Sequence, residues 1–346
     1  MNMRAVVSAG GVRYDDYVSR MARTIGECLA PHLERGKPYA VADFPNYANI
    51  GDNAIYLGAA MQLESMSGRA PDYLCTLNTY RRDIAASMPT GTIFLLGGGN
   101  FGDIWLRHQA MREDIIASFP HHKIVQLPQS LHFTGRESIE RCARIIEAHP
   151  DFTLLVRDEP SLELARRYFD CESATCPDTA FCIGPLRRPD RTAIRALALL
   201  RDDRESALAG DIRGAVAMSM PVEDWKKPAR HDAPFDRLLE RLFKRLVMLR
   251  PVMMRKIGEI YSDRANTLLD AGIAQLARTE RLVTDRLHGF IIATLLGIPH
   301  IVADNAYGKI SRYIDCWGCS DLTALAPDVE SLHSFLEREG LLPPPL

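Results

Sequence analysis

The sequence predicts two α/β domains, each built on a parallel sheet. Three observations support this class. Short apolar runs of strand length alternate with longer amphipathic or apolar segments along most of the chain, which is the pattern of βα units in a parallel sheet. Most runs end in a polar knot of Asn, Asp, Gly or Arg, as expected where ligands meet the carboxyl ends of strands. A Pro/Arg-rich stretch, Pro185-Leu186-Arg187-Arg188-Pro189-Asp190, separates two such series and suits a linker. The expected limits are residues 1–186 and 187–326 for the two domains, with a helix and tail over 327–346.

Composition sets the outer bounds. A chain of 346 residues, 47% of them hydrophobic, can bury a large core and has room for two domains. A formal net charge of −2 gives no general argument for nucleic acid. The first residues lack the long apolar core of a signal peptide, and no apolar run approaches the ~20 residues of a membrane span, so a cytoplasmic location is expected. Eight irregularly spaced cysteines do not form a secreted disulfide pattern. Cys316-Trp317-Gly318-Cys319 has no second pair beside it, so ordinary thiols are favoured over a metal site.

Taken in order, an amphipathic helix (Tyr17 to Leu33) leads into a strand, Tyr39 to Ala42. The loop after it, Asp43 to Asn53, precedes a helix from Ala54 to Glu64, with Asp52 or Asn53 at the expected cap position. So many polar groups at one strand end also suit a hydroxyl-rich ligand. The strand Thr92 to Leu96 runs into Gly97-Gly98-Gly99-Asn100, where a ligand or a second backbone can approach closely. No acidic partner stands about 20 residues on, so the nicotinamide-binding reading is rejected. Lys123 to Leu127 ends at Pro128-Gln129-Ser130. Phe152 to Val156 ends at Arg157-Asp158-Glu159, before a helix from Ser161 to Tyr168.

In the second half, Ala196 to Leu200 and Ala215 to Ser219 read as strands. Phe235 to Glu259 carries Arg237, Arg241, Lys244, Arg245, Arg250, Arg255 and Lys256 among Leu, Phe, Val and Met. Two readings stay open: a cationic amphipathic surface touching lipid head groups, or a helix pair broken at Pro251. A helix from Ala265 to Ala277 then leads to Arg281–Ala303, where the reading centres. There a strand meets Thr284-Asp285-Arg286-Leu287-His288-Gly289, then an apolar helix and a second strand. An Arg and a His two residues apart in that crevice suggest an anionic substrate and a proton donor. The plainer alternative is that Asp285 caps the helix and Arg286 pairs with it. Asp304 to Lys309 forms a third knot before a helix from Ile310 to Cys316, and Val329 to Glu339 reads as a final helix.

Several motifs in order carry a family resemblance. They are Asn49-x-Gly51-Asp52, the Gly98-Gly99 strand end, Gln129-Ser130, Arg157-Asp158-Glu159-x-Ser161, Pro177-Asp178-x-Ala180-Phe181, Arg286-Leu287-His288-Gly289 and Lys309. Over roughly residues 40 to 318 the chain resembles the polysaccharide pyruvyltransferase family. The resemblance implies two Rossmann-like domains facing a cleft, as in B-type glycosyltransferases. It also implies transfer of pyruvate from phosphoenolpyruvate, as a ketal, to a hexose of an exopolysaccharide or its lipid-linked precursor.

His288 and Asp52 are then the catalytic candidates. Asn49, Asn53, Gly98, Gly99, Ser130, Arg157, Arg286, Asn305 and Lys309 are the substrate-binding ones. His288 would protonate the methylene carbon of the donor, and Asp52 would hold or deprotonate the acceptor hydroxyl. No metal or cofactor is expected beyond phosphoenolpyruvate as co-substrate, and peripheral contact with the inner face of a membrane is expected if the acceptor is lipid-linked. Two other classes share these features: a nucleotide-sugar-dependent glycosyltransferase and a non-catalytic sugar-binding subunit.

Overall fold

The structure, a computed structural model, describes residues 12–188, 192–201, 213, 216–217, 219–225, 234–304 and 308–342. It divides into two compact units. One comprises residues 22–182 and 228–268, and the other 1–21, 183–227 and 269–346. Both are α/β, with every strand pairing parallel. The units are therefore interleaved along the chain, where the sequence suggested consecutive stretches.

In the first unit the strands are β1 (Tyr39–Phe44), β2 (Tyr73–Thr76), β3 (Thr92–Leu95), β4 (Gly98–Gly102), β5 (Lys123–His132), β6 (Phe152–Val156) and β7 (Glu172–Thr175). Their order is β2-β1-β3-β5-β6-β7, with β4 paired to β5. Order reverses between β1 and β3, which makes the carboxyl ends of these two strands the topological switch point. β3 and β6 are buried at every position, as a sheet covered on both faces requires. The helices that follow the strands include α2 (Ile50–Ser67), the short α3 (Ile84–Ser87), α4 (Leu106–Ser118), α5 (Arg136–Glu147) and α6 (Glu159–Tyr168). α2 packs unusually close. A methyl group on Gly58 would come within 1.9 Å of the Thr179 carbonyl, so glycine is the residue that fits there.

The second sheet runs β12 (Thr323–Ala326), β11 (His300–Ala303), β10 (Thr279–Thr284), β8 (Ile194–Leu199) and β9 (Val222–Glu223). α9 (Leu287–Leu295) and α10 (Lys309–Trp317) follow β10 and β11. The amphipathic α11 (Val329–Arg338) buries Leu332, Phe335 and Leu336 against Ala196, Ala198, Val283 and Ala324. The long N-terminal helix α1 (Tyr14–Leu29) ties to this unit through the Tyr17 hydroxyl, which donates to the Gly318 carbonyl at 3.0 Å.

Several sequence expectations change. In the strand expected over Ala215–Ser219, the described residues Val216, Ala217 and Ser219 are helical, and β9 follows at Val222. Pro251 does not break a helix. It lies in the first turn of α8 (Arg250–Ala277), where its missing N–H is harmless. The break falls instead at a 3₁₀ turn, Val247–Leu249, after α7 (Pro234–Arg245). The helix expected from Ala265 is the continuation of α8. Gly98–Gly102 forms a strand not evident from the sequence, and the close approach of a second backbone is the one the glycines suggested: methyl groups on Gly97 and Gly102 would meet the carbonyls of Pro128 and His132 at 2.6 and 1.7 Å.

One buried histidine makes stability pH-dependent. His300 is buried with its ring edge-on to Phe290 at 5.4 Å; its Nδ1–H donates to the Ile298 carbonyl at 2.7 Å and its Nε2 accepts from the Thr323 hydroxyl at 3.0 Å. These contacts suit the neutral ring. Burial lowers its pKa to about 4 although the Ile298 carbonyl opposes the shift. In the unfolded chain the ring titrates near ~6.5, so the unfolded state takes up the proton first. The stabilisation is then complete above that pH and is lost as pH falls toward the folded value, a change on the order of 3 kcal/mol. Melting curves taken between neutral pH and pH 4 should show this loss, and His300→Asn should flatten it. Parallel acid limbs in the two proteins would reject the assignment.

Candidate functional site

The switch point of the first sheet carries a connected polar cluster. At the end of β1, Asp43 adopts φ +75, the one positive value at a non-glycine residue among those described, and the β1–β2 register shifts around it. A backbone in that region is strained for an aspartate and persists where the surroundings impose it. Both Asp43 carboxylate oxygens lie against Nδ1 of His108, at 2.9 and 2.8 Å. This is the arrangement in which a carboxylate fixes the tautomer and orientation of an imidazole. The Asn100 amide also donates to Asp43, at 3.4 Å.

Asn100 is held from behind by a buried network. The Arg112 guanidinium donates to Asn100 Oδ1 at 2.8 Å and to Gln126 at 2.7 Å, and it stacks over Phe101 at 4.5 Å. Burial pulls the pKa of Arg112 down to about 10, with Asp43 acting in the opposite direction; it remains a cation at neutral pH. Gln129 bonds both the side chain and the backbone of Asn100, at 2.9 and 3.2 Å.

The predicted residues of this unit lie around that cluster in different capacities. Asn49, not Asp52 or Asn53, caps α2: its Oδ1 accepts from the N–H groups of Gly51 and Asp52. Asn53 is fully buried and its amide donates to the carbonyls of Pro45, Tyr47 and Asn49, so it sets the shape of the β1–α2 loop. Asp52 accepts from the Tyr47 hydroxyl at 2.9 Å and stands beside Gly98. The Tyr47 ring in turn meets His108 edge-on at 6.3 Å.

Gly99 is exposed and faces the Arg157 guanidinium. Arg157 itself is buried, donating to Ser130 Oγ and to Asp178 Oδ2, both at 2.9 Å. The Ser130 hydroxyl donates to Asp158 Oδ2 at 2.7 Å, and Asp158 caps α6. The structure thus brings Asp52, Gly98, Gly99, Ser130 and Arg157 to one sheet edge. It adds Asp43 and His108, which no motif had indicated; a histidine inside a helix carries no local signal of its carboxylate partner.

In the second unit, Arg286 occupies the N-cap position of α9, and its guanidinium pairs with Asp224. Its Nε is buried with no hydrogen-bond partner among the described residues. Asp285 does not cap α9. It is buried and accepts from the Arg201 N–H at 2.9 Å; burial raises its pKa, and the bond from Arg201 opposes this. Both parts of the plainer reading of this knot are therefore replaced.

His288 is half-buried in the first turn of α9. Gly289, beside it, is set by packing. A methyl group there would meet Thr284 Oγ1 at 2.5 Å and Leu199 at 3.1 Å, so glycine serves helix–sheet packing. Lys309 opens α10, after Gly308 in a left-handed cap. Asn305 lies outside the described residues. Among the described residues no group of three His, Cys, Asp or Glu side chains is placed to hold a metal ion, and no helix is long and apolar enough to cross a membrane.

The profile of the polysaccharide pyruvyl transferase family matches residues 49–307, most of the chain. The chain belongs to the polysaccharide pyruvyl transferase family. Within related sequences, Pyruvyl transferase 1 of Schizosaccharomyces pombe is 29% identical over 324 residues, covering 87% of this chain and 75% of its own. A Bacillus subtilis protein named for pyruvyl transfer, EpsO, is 31% identical over 282 residues, covering 80% of this chain and 84% of its own. A crystal structure of a functionally uncharacterised Klebsiella pneumoniae protein superposes with a TM-score of 0.56 at 15% identity, covering 89% of this chain and 99% of that one. That likeness speaks to the fold alone. Family membership makes the chain a transferase of the pyruvyl class and polysaccharide its type of acceptor. The match begins at the α2 cap and takes in Arg157 and Arg286.

Proposed function

We propose that the protein transfers the pyruvyl group of phosphoenolpyruvate to two hydroxyls of a hexose in an exopolysaccharide or its lipid-linked precursor, forming a ketal. The observation that carries this reading is the Asp43–His108 pair, built at a topological switch point on a strained backbone, in a chain of this family. His108 takes the proton of an attacking sugar hydroxyl, and Asp43 stabilises the resulting imidazolium. Asp52 and Tyr47 position the acceptor, and the exposed Trp105, three residues before His108, offers a flat face for a sugar ring.

The donor brings a carboxylate and a phosphate, which suit guanidinium forks and a helix amino end. Arg286, with its buried Nε, and Lys309 supply that charge, and His288 gives a proton to the methylene carbon. The bookkeeping of atoms closes: two C–O bonds form at the central carbon, its bond to phosphate oxygen breaks, and the methylene becomes a methyl group. One of the two hydroxyl protons ends on that carbon and the other on the departing phosphate.

Under this reading both units are Rossmann-like, the first serving the acceptor and the second the donor. No cofactor is needed, and the reaction runs in the cytoplasm where phosphoenolpyruvate is available. The test is an assay of the purified protein with phosphoenolpyruvate and a panel of hexose acceptors. Acceptor-dependent phosphate release, with the acceptor gaining a pyruvyl ketal by mass, is the expected result. Release of a nucleotide from a sugar nucleotide, with phosphoenolpyruvate untouched, would overturn it in favour of a glycosyltransferase.

A further inference from the structure

The corner where α7 turns into α8 exposes more apolar surface than any other described segment. Met248 is 93% exposed and Val252 85%, and Leu238, Leu242, Leu246 and Leu249 are all exposed beside them. Scattered apolar residues on a surface need no explanation, but a contiguous set on one corner marks an interaction site.

Fraying does not account for it, because the corner is pinned from beneath. Arg250, between Leu249 and Val252 in the chain, is fully buried. Its guanidinium donates to the carbonyls of Phe243 and Thr79 at 2.9 and 2.8 Å, to the Tyr73 hydroxyl at 3.2 Å and to the Asp83 carboxylate at 3.0 Å. On α7 the inward face is Glu240 and Phe243. Glu240 pairs with Arg264 at 2.8 Å and Phe243 has no exposed surface. Leu238 and Leu242, one helical turn apart, are left on the outer face. The backbone is therefore held so that these apolar side chains point away from the core.

Charge identifies the partner. Arg237, Arg241, Lys244, Arg245, Arg255 and Lys256 are all exposed around the apolar corner. The only acidic residue between Arg237 and Lys256 in the sequence is Glu240, which is turned inward. Glu259 answers Arg255 and Lys256 at 3.5 and 3.1 Å, leaving the ring strongly positive. Protruding apolar side chains encircled by lysine and arginine match an anionic bilayer surface. Its interfacial region accepts apolar side chains without a preformed hole, and its phosphates lie at the depth of the cations.

We propose that the α7–α8 corner docks the protein peripherally on an anionic lipid bilayer, with Met248 and Val252 entering the interface. The inference stands on this surface and does not depend on which donor the enzyme uses.

Vesicle flotation tests it, using phosphatidylcholine alone and phosphatidylcholine with phosphatidylglycerol. The protein should float with the anionic vesicles only, and less as ionic strength rises, since exposed charges are screened. Replacing Arg241, Lys244 and Arg245 together by Gln should weaken partitioning by roughly 100-fold, at about fivefold per cation near the surface. Met248→Asp with Val252→Asp should abolish flotation. Circular dichroism and melting of both variants should match the parent, because none of the five side chains is buried. Absence of flotation with anionic vesicles, or undiminished flotation of the aspartate variant, would overturn the proposal. A concentration-dependent dimer that the aspartate variant loses, without vesicle binding, would reassign the corner to contact between copies of the chain.

Discussion

Arg157→Ala should lower unfolding free energy by about 3–5 kcal/mol, the range for removing one partner of a buried ion pair. The size follows from what it leaves behind. Asp178 has 1% of its surface exposed and accepts from Arg157 at 2.9 Å, so the variant removes the guanidinium paired with a buried carboxylate, which keeps the Ala180 N–H at 3.0 Å. Ser130 loses the guanidinium that orients it toward Asp158, and with it a support of the α6 cap. Against a typical total of roughly 5–15 kcal/mol, that shift moves a denaturation midpoint by a wide margin. Arg157→Lys should recover part of the loss, because an ammonium can reach Asp178 but cannot fork to Ser130 as well. An alanine variant that unfolds at the parent's midpoint would remove Arg157 from the structural framework and return it to a purely substrate-binding role.

Turnover is expected to fall by roughly two to four orders of magnitude in His108→Ala, the usual contribution of one general acid or base. Donor binding should be retained, because the residue lies on the acceptor side of the proposed reaction. Asp43→Asn should have an intermediate effect. The amide can still contact the ring but presents the wrong hydrogen-bonding pattern and no charge to the imidazolium. His288→Ala probes the opposite proton transfer, to the methylene carbon, and should also reduce turnover at saturating donor. If His108→Ala keeps full activity while His288→Ala loses it, the base is not the Asp43–His108 pair, and Asp52 becomes the remaining candidate in that unit.

What the sequence made legible follows the range of each signal. Strands β1, β3, β5, β6, β8, β10 and β11 overlap apolar runs read directly from the chain, because a strand buried on both faces is a continuous apolar word. β4 was hidden because its Gly-Gly-Asn-Phe-Gly composition belongs to turns; only its pairing with β5 makes it a strand. β7 shows an alternating exposed and partly buried pattern of Glu172, Ser173, Ala174 and Thr175, too short and polar to stand out. For Pro251 the local rule was right and its application wrong: proline ends a helix in the interior but begins one at the first turn.

Among site residues, the strand-end positions Asp52, Gly98, Ser130, Arg157 and Arg286 could be found from their place after a strand. His108 could not, since its partner Asp43 lies 65 residues away in sequence and the contact exists only in the folded sheet. The partners of Arg286 and Asp285 were out of reach for the same reason. The sequence offered only their pairing with each other as an alternative, whereas the fold supplies Asp224 and the Arg201 backbone.

The position of Arg250 also constrains how the chain can be made. The sheet of the first unit is complete in sequence by β7, yet the side chain that satisfies Tyr73, Thr79 and Asp83 arrives only with α8. A nascent chain leaving the ribosome therefore carries Asp83 with only the Tyr73 hydroxyl against it, and the Thr79 carbonyl without its guanidinium partner, until Arg250 emerges. A gene cut after residue 186 would encode all the strands of that sheet and still lack the clasp that closes it. Expression of the N-terminal half alone is accordingly expected to give a chaperone-dependent, protease-sensitive product, and co-expression with residues 228–268 to rescue it.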